Sequence, residues 1–205
     1  MKIRSVITHC LITLAATFGL LFANPASASP AQAVVKDFYT HLESTMKQGK
    51  PLGFQGRYKK LAPAIETAFD LPLMAKMATG AGWRAATEGE QQALVSAFSS
   101  FSISTYASRF TDYDGEKFMI TGEKPSANGV IVETTLKPKD GEAVTLNYLM
   151  RPDKKGAYKI VDVYMNGTIS ELATRRGEFS SIVRDEGVPA LVKSLEEKAK
   201  QMESL

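Results

Sequence analysis

The chain has 205 residues, 44% of them apolar, with 25 Lys and Arg against 22 Asp and Glu and a single cysteine. A net charge of +3 supplies neither the basic field that nucleic acid requires nor a polybasic membrane anchor, so both are excluded. One cysteine makes no disulfide framework, and two histidines cannot build a His-rich metal centre.

The amino terminus reads as an export signal. Met1-Lys2-Ile3-Arg4 is a short positive stretch, Ser5 to Phe22 is apolar, and Ala26-Ser27-Ala28 is an A-x-A cleavage site. Residues 1–28 are therefore expected to be a Sec signal peptide, and the mature protein to be periplasmic. The apolar run is short for a membrane span, and Asn24-Pro25 follows it at once. Cys10 lies far from the cleavage site, so it is no lipoprotein attachment point and leaves with the signal. Loss of Lys2 and Arg4 brings the net charge from +3 to about +1. Residues 29–205 are expected to form a single domain, mainly helical over 29–111 and sheet plus C-terminal helices over 112–205.

Helical spacing predicts a first helix over 33–46, with Val34, Val35, Phe38, Leu42 and Met46 on one side, ended by Gly49 and Pro51. A second is predicted over 54–69, with Pro63 kinking or breaking it. Asp70-Leu71-Pro72 opens a short third helix that stops at Gly80-Ala81-Gly82. Thr87 and Glu90 form a capping box for a long helix carrying Leu94, Phe98, Phe101 and Thr105, widened by Val95, Tyr106 and Phe110. Trp83 is placed to pack beneath it.

From Lys117 the period changes to two. Strands are predicted over 118–124, 130–136, 144–151 and 158–165, joined by short turns such as Pro138-Lys139-Asp140-Gly141. Val144, Leu146, Tyr148 and Met150 share one face of the third, and Val161, Val163 and Met165 one face of the fourth. Two helices close the chain, one after Gly167 and one from Val188. The fold class is α+β: a four-stranded twisted antiparallel sheet with one oily face covered by about six or seven helices.

Catalytic patterns are scarce. His41 sits on an amphipathic helix with no nucleophile elbow in the chain. Asp112 and Asp114 lack the spacing of a calcium loop. Gly80-Ala81-Gly82 neither follows a strand nor precedes Gly-Lys-Thr. Asp162, a carboxylate among apolar strand residues, is either a general base of a small curved-sheet enzyme or a structural group. No catalytic residue, metal or cofactor is expected.

Two ordered motifs remain. The first is Phe69-Asp70, Met74-Ala75, Gly82-Trp83, Ala86-Thr87, Phe98, Phe101 and Thr105-Tyr106-Ala107. The second is Tyr158-Lys159-Ile160, Asp162-Val163, Gly167, Ser170, Arg176 and Phe179. Together they resemble the toluene-tolerance family of secreted lipid carriers, whose branches are the phospholipid shuttles of MlaC type and the hopanoid-associated HpnM proteins. The stretch from Gly167 to Phe179 is one residue longer than in the phospholipid branch, which points to HpnM. The resemblance implies a twisted sheet capped by helices around an apolar cavity. It also implies a periplasmic carrier that exchanges lipid, hopanoid or phospholipid, with inner-membrane ABC transporter components and an outer-membrane partner. The alternative is an MlaC-like, phospholipid-specific carrier that maintains outer-membrane asymmetry.

Carriage is a problem in burial. At about 0.8 kcal/mol per methylene, a lipid with roughly 30 chain carbons needs a dry pocket worth on the order of 25 kcal/mol. The candidate lining is Trp83, Phe98, Phe101, Tyr106, Phe110, Leu146, Tyr148, Val161, Val163, Met165 and Phe179, with plain core packing as the other reading of each. Arg175 and Arg176 are candidates for an anionic headgroup, because guanidinium forks onto phosphate. Their alternative is pairing with Glu171 or Glu178 on the same helix.

Overall fold

A computed structural model describes residues 28–204; the expected signal peptide, apart from Ala28, lies outside them. Helix α1 (Pro30–Met46) opens on a reciprocal cap, Ser29 Oγ accepting the Gln32 N–H at 3.1 Å while Gln32 Oε1 accepts the Ser29 N–H at 3.3 Å. It buries Val35, Phe38, Tyr39, Leu42 and Met46. Helix α2 (Gly49–Ala68) breaks at Gly53, whose φ of +60° and ψ of 179° suit glycine and few other residues. Pro63, where a kink or break was expected, lies inside uninterrupted helix. The proline is exposed, so the carbonyl it leaves without a partner one turn back can turn to water.

Asp70 caps α3 (Leu71–Thr79) by accepting the Leu73 N–H at 3.0 Å. Gly80 (φ +63°) then ends it, and a five-residue helix α4 (Ala81–Ala85) follows where only a stop was predicted. The capping box of α5 (Glu88–Arg109) is present as read: Thr87 Oγ1 accepts the Glu90 N–H at 3.3 Å, and Glu90 Oε2 accepts the Thr87 N–H at 2.8 Å.

Strands β1 (Lys117–Ser126), β2 (Gly129–Lys137), β3 (Val144–Pro152) and β4 (Tyr158–Met165) form an antiparallel meander. Asn166 (φ +50°) and Gly167 (φ +78°) turn the chain back into a two-residue β5 (Ile169–Ser170), which pairs with β4 and adds a fifth strand to the four expected. Helix α6 (Glu171–Glu186) thus starts at Glu171, and α7 (Val188–Glu203) follows across Gly187.

Register fixes which side chains meet the helices. Phe118 pairs with Leu136, Val132 with Tyr148, Tyr148 with Val163 and Leu146 with Met165. Paired residues share a side, so these form one inward apolar face. Between β3 and β4 the register slips: Leu149 pairs with Asp162, but Met150 pairs with Ile160. Val161 is the extra residue of a bulge. It is fully buried yet outside the helix-facing core cluster, so it does not share the face of Val163 and Met165 that strict alternation predicts.

Helix α1 lies against β1, β2 and β4, whereas α2, α3 and α6 meet β4. The Asp70 N–H donates to the Ile160 carbonyl at 2.9 Å, pinning the start of α3 to the sheet. Helices α5 and α7 pack on each other, and α5 also packs on α2 and α3.

Candidate functional site

Between α5 and the inward face of the sheet lies a cavity of about 240 Å³. Its apolar walls come from Leu42, Ile65, Phe69, Leu71 and Met74 of the first helices, and from Phe98, Tyr106 and Phe110 on α5. The sheet supplies Phe118, Leu136, Val144, Leu146, Tyr148, Val163 and Met165. Tyr106 packs edge-on to Phe38 and Phe69 with centroids 5.4 and 5.7 Å away, and stacks on Phe110 at 5.7 Å. Such pairs hold ring positions beyond what burial alone does.

Buried hydroxyls join α1 to the sheet beside this wall. Tyr39 Oη lies 2.7 Å from Thr134 Oγ1 and donates to Tyr148 Oη at 3.1 Å, while the Thr134 hydroxyl donates to the Leu146 carbonyl. Burial pushes the Tyr39 phenol up to about 12 despite these bonds, and raises Tyr106 and Tyr148 further above the ordinary tyrosine value.

The remaining lining is polar: Ser102, Thr105 and Arg109 along α5, and Glu171 and Arg175 on the first turns of α6. Arg175 is 19% exposed, its guanidinium 4.6 Å above the Phe101 ring and its Nη2 3.4 Å from Glu171 Oε2. Burial lowers the proton affinity of Arg175 and Glu171 opposes that; the group stays a cation at any physiological pH. A greasy chamber with two guanidiniums and one carboxylate among its lining residues can shelter hydrocarbon and meet an anion.

The family model described as MlaC protein matches residues 36–197. The chain belongs to the MlaC family. Its members are lipid-binding carriers rather than enzymes, and the family is periplasmic. Among solved structures the chain is similar to a phospholipid-binding protein from Ralstonia solanacearum, determined in complex with a phospholipid. The two share 26% identity over 85% of this chain and 99% of that one, with a TM-score of 0.74.

Within this MlaC fold the residues singled out from the sequence divide. Phe98, Tyr106, Phe110, Leu146, Tyr148, Val163, Met165 and Arg175 line the chamber. Phe101 lies under Arg175, and Phe179 backs the wall edge-on to Phe98 at 6.4 Å. Val161 is displaced by the bulge. Trp83 sits on α4, half-buried against the core, and faces separate surface clefts; its carbonyl accepts from Gln91 Nε2 at 2.9 Å. Arg176 also turns away: one residue along α6 swings it to the Gly80 side, where a Cβ on Gly80 would stand 3.2 Å from its Nε.

Sequence reading missed Arg109 and named Glu171 only as a partner for the arginines, which it is for Arg175, and not as a lining residue. A usable signal existed for Arg109, since residues 98, 102, 105, 106 and 109 fall on one helical stripe in which apolar residues give way to polar ones.

Asp162 faces away from the chamber. Its carboxylate accepts from the Ser170 hydroxyl at 2.6 Å, the Val163 N–H at 2.8 Å and the Leu172 N–H at 3.0 Å. It is a tie between β4 and the start of α6. His41 is exposed beside Asp37, while Asp112 pairs with Lys50 at 2.7 Å and Asp114 with Lys139 at 3.3 Å. Among the described residues no cluster of His, Cys, Asp or Glu could hold a metal, and no helix is long and apolar enough to cross a membrane.

Proposed function

We propose that residues 29–205, exported behind the signal peptide, form one domain that carries a phospholipid through the periplasm, its acyl chains in the chamber and its phosphate near Arg175 and Arg109. The observation that carries this reading is the apolar cavity edged by those two cations, in a fold shared with a phospholipid-bound relative. The cations explain why a phosphate-headed lipid is favoured over an uncharged polycyclic one. The hopanoid reading drew on the one-residue longer Gly167–Phe179 stretch; that stretch includes β5, whose Ile169 pairs with the lining residue Met165, and it supplies Glu171 and the cation Arg175 to the chamber.

Pockets enclosing drug-sized ligands run from roughly 300 to 1,000 Å³. A chamber of about 240 Å³ therefore has to widen before two chains fit. Handover to inner-membrane ABC transporter components and an outer-membrane partner completes the proposed route.

Native mass spectrometry of the periplasmic protein, followed by lipid extraction, tests the reading. Co-purifying two-chain phospholipid is the expected result. Protein that emerges lipid-free and takes up none from phospholipid vesicles overturns it, and a bound hopanoid replaces it with the other branch.

A further inference from the structure

We propose that Glu171 is a resident counterion that competes with the lipid phosphate for Arg175 and thereby sets how readily the carrier releases its cargo. This rests on the phosphate-at-Arg175 reading and adds a release residue to it. Arg175 is held in place: Phe101 lies beneath the guanidinium at 4.6 Å, and the side chain is 19% exposed. Glu171, one helical turn earlier, brings its carboxylate to 3.4 Å from Nη2 and itself lines the chamber. The other acid whose charge reaches Arg175 is Glu178, and it is engaged by Lys198. Glu171 is thus the carboxylate near enough to trade places with an incoming anion.

The exchange works in both directions. A phosphate settling between Arg109 and Arg175 displaces Glu171 from the guanidinium and leaves a second negative charge beside it, in a partly water-shielded position where repulsion is felt. When the phosphate departs, Arg175 regains a partner at once, so the departing headgroup leaves no unpaired half-buried cation behind. Without Glu171 the same two cations hold the anion unopposed. An acid on the first turn of α6 also suits the helix dipole, and the test has to separate that role from competition.

The measurement is release of lipid from the loaded full-length exported protein to acceptor vesicles of phosphatidylcholine, with phosphatidylglycerol or diacylglycerol as cargo. Glu171→Gln is expected to slow phosphatidylglycerol release about two- to fivefold and to leave diacylglycerol, which has no phosphate, unchanged. Equal phosphatidylglycerol release by Glu171→Gln and the unaltered protein overturns the inference alone. So does an equal change for both lipids, slower or faster, which is what a purely structural role for the acid at the start of α6 produces. Failure of the unaltered protein to carry any phospholipid sinks this inference together with the reading beneath it.

Discussion

Helices α5 and α6 wall the same chamber but are built differently. Helix α5 has 22 residues, a reciprocal cap and eight buried residues, Phe98 and Phe101 among them. Helix α6 has 16 residues and buries two, Leu172 and Phe179, while its first turn is held by the Leu172 and Ala173 N–H groups donating to the Asp162 carboxylate and the Ser170 hydroxyl. Apolar burial holds a helix far more firmly than a few polar ties do. The contrast teaches that α5 is the fixed wall and α6 the yielding one, and widening for a lipid is expected to happen on the α6 side.

Locking α6 tests that division most severely. A Cβ on Gly82 of α4 would lie 3.4 Å from the Val183 Cβ of α6, close to disulfide spacing. The oxidised Gly82→Cys/Val183→Cys protein is expected to lose lipid exchange almost entirely and to regain it on reduction. Undiminished exchange in the oxidised form would show that some other wall moves.

Weakening the fixed wall should cost stability instead. Phe98→Ala removes a ring that faces the chamber and packs on Phe179, with an expected loss of about 3 kcal/mol in urea unfolding. A loss below about 1 kcal/mol would mean that α5 is not the anchored element.

Alkali attacks the same fixed half, since Tyr39, Tyr106 and Tyr148 stand on α1, α5 and β3. Their phenols titrate above the ordinary value of 10 in the folded state, Tyr39 at about 12. The folded chain thus holds protons that the unfolded chain gives up. The stabilisation from Tyr39 is intact below pH 10 and drains as pH rises from 10 toward 12, on the order of 1.4 kcal/mol per pH unit for each tyrosine so held. Unfolding followed by urea at successive pH values should show the decline, with ultraviolet absorbance detecting these phenolates only as the protein unfolds.

Asp162→Ala frees the start of α6 and is expected to cost about 1–2 kcal/mol, while speeding lipid exchange because the yielding wall is looser. Slower exchange would contradict the assignment. The smallest stability change, below about 1 kcal/mol, is expected for Arg175→Gln, whose partly exposed ion pair contributes little. Its effect should instead appear in co-purified phospholipid, which falls.

Local chemistry made much of this fold legible. Asp70 and the Thr87–Glu90 pair announce helix starts because they satisfy backbone donors within three residues, and alternation marked the four long strands. Three features lay beyond it. The bulge at Val161 depends on how two strands register, so Val161 read as a chamber residue. Pro63 is tolerated only because it faces water. Apolar residues at helical spacing look alike whether they touch one another or a gap, and Phe101 and Phe179 were accordingly grouped with Phe98. The adjacent arginines show the same limit: both lie on α6, but the orientation of the helix gives Arg175 to the chamber and Arg176 to the far side.

The additional residue in β4 acts as a phase change. Ahead of it Ile160 points inward and beyond it Val163 does, so that Asp162 is free to reach outward and moor α6. One strand thus serves the chamber side with its oily residues and the opposite side with its acid, which stays buried at the start of α6. Deleting Val161 alone would leave Ile160, Asp162 and Val163 consecutive opposite Met150, Leu149 and Tyr148, so the oil and the acid would keep their sides and only the local bend of the bulged strand would be lost.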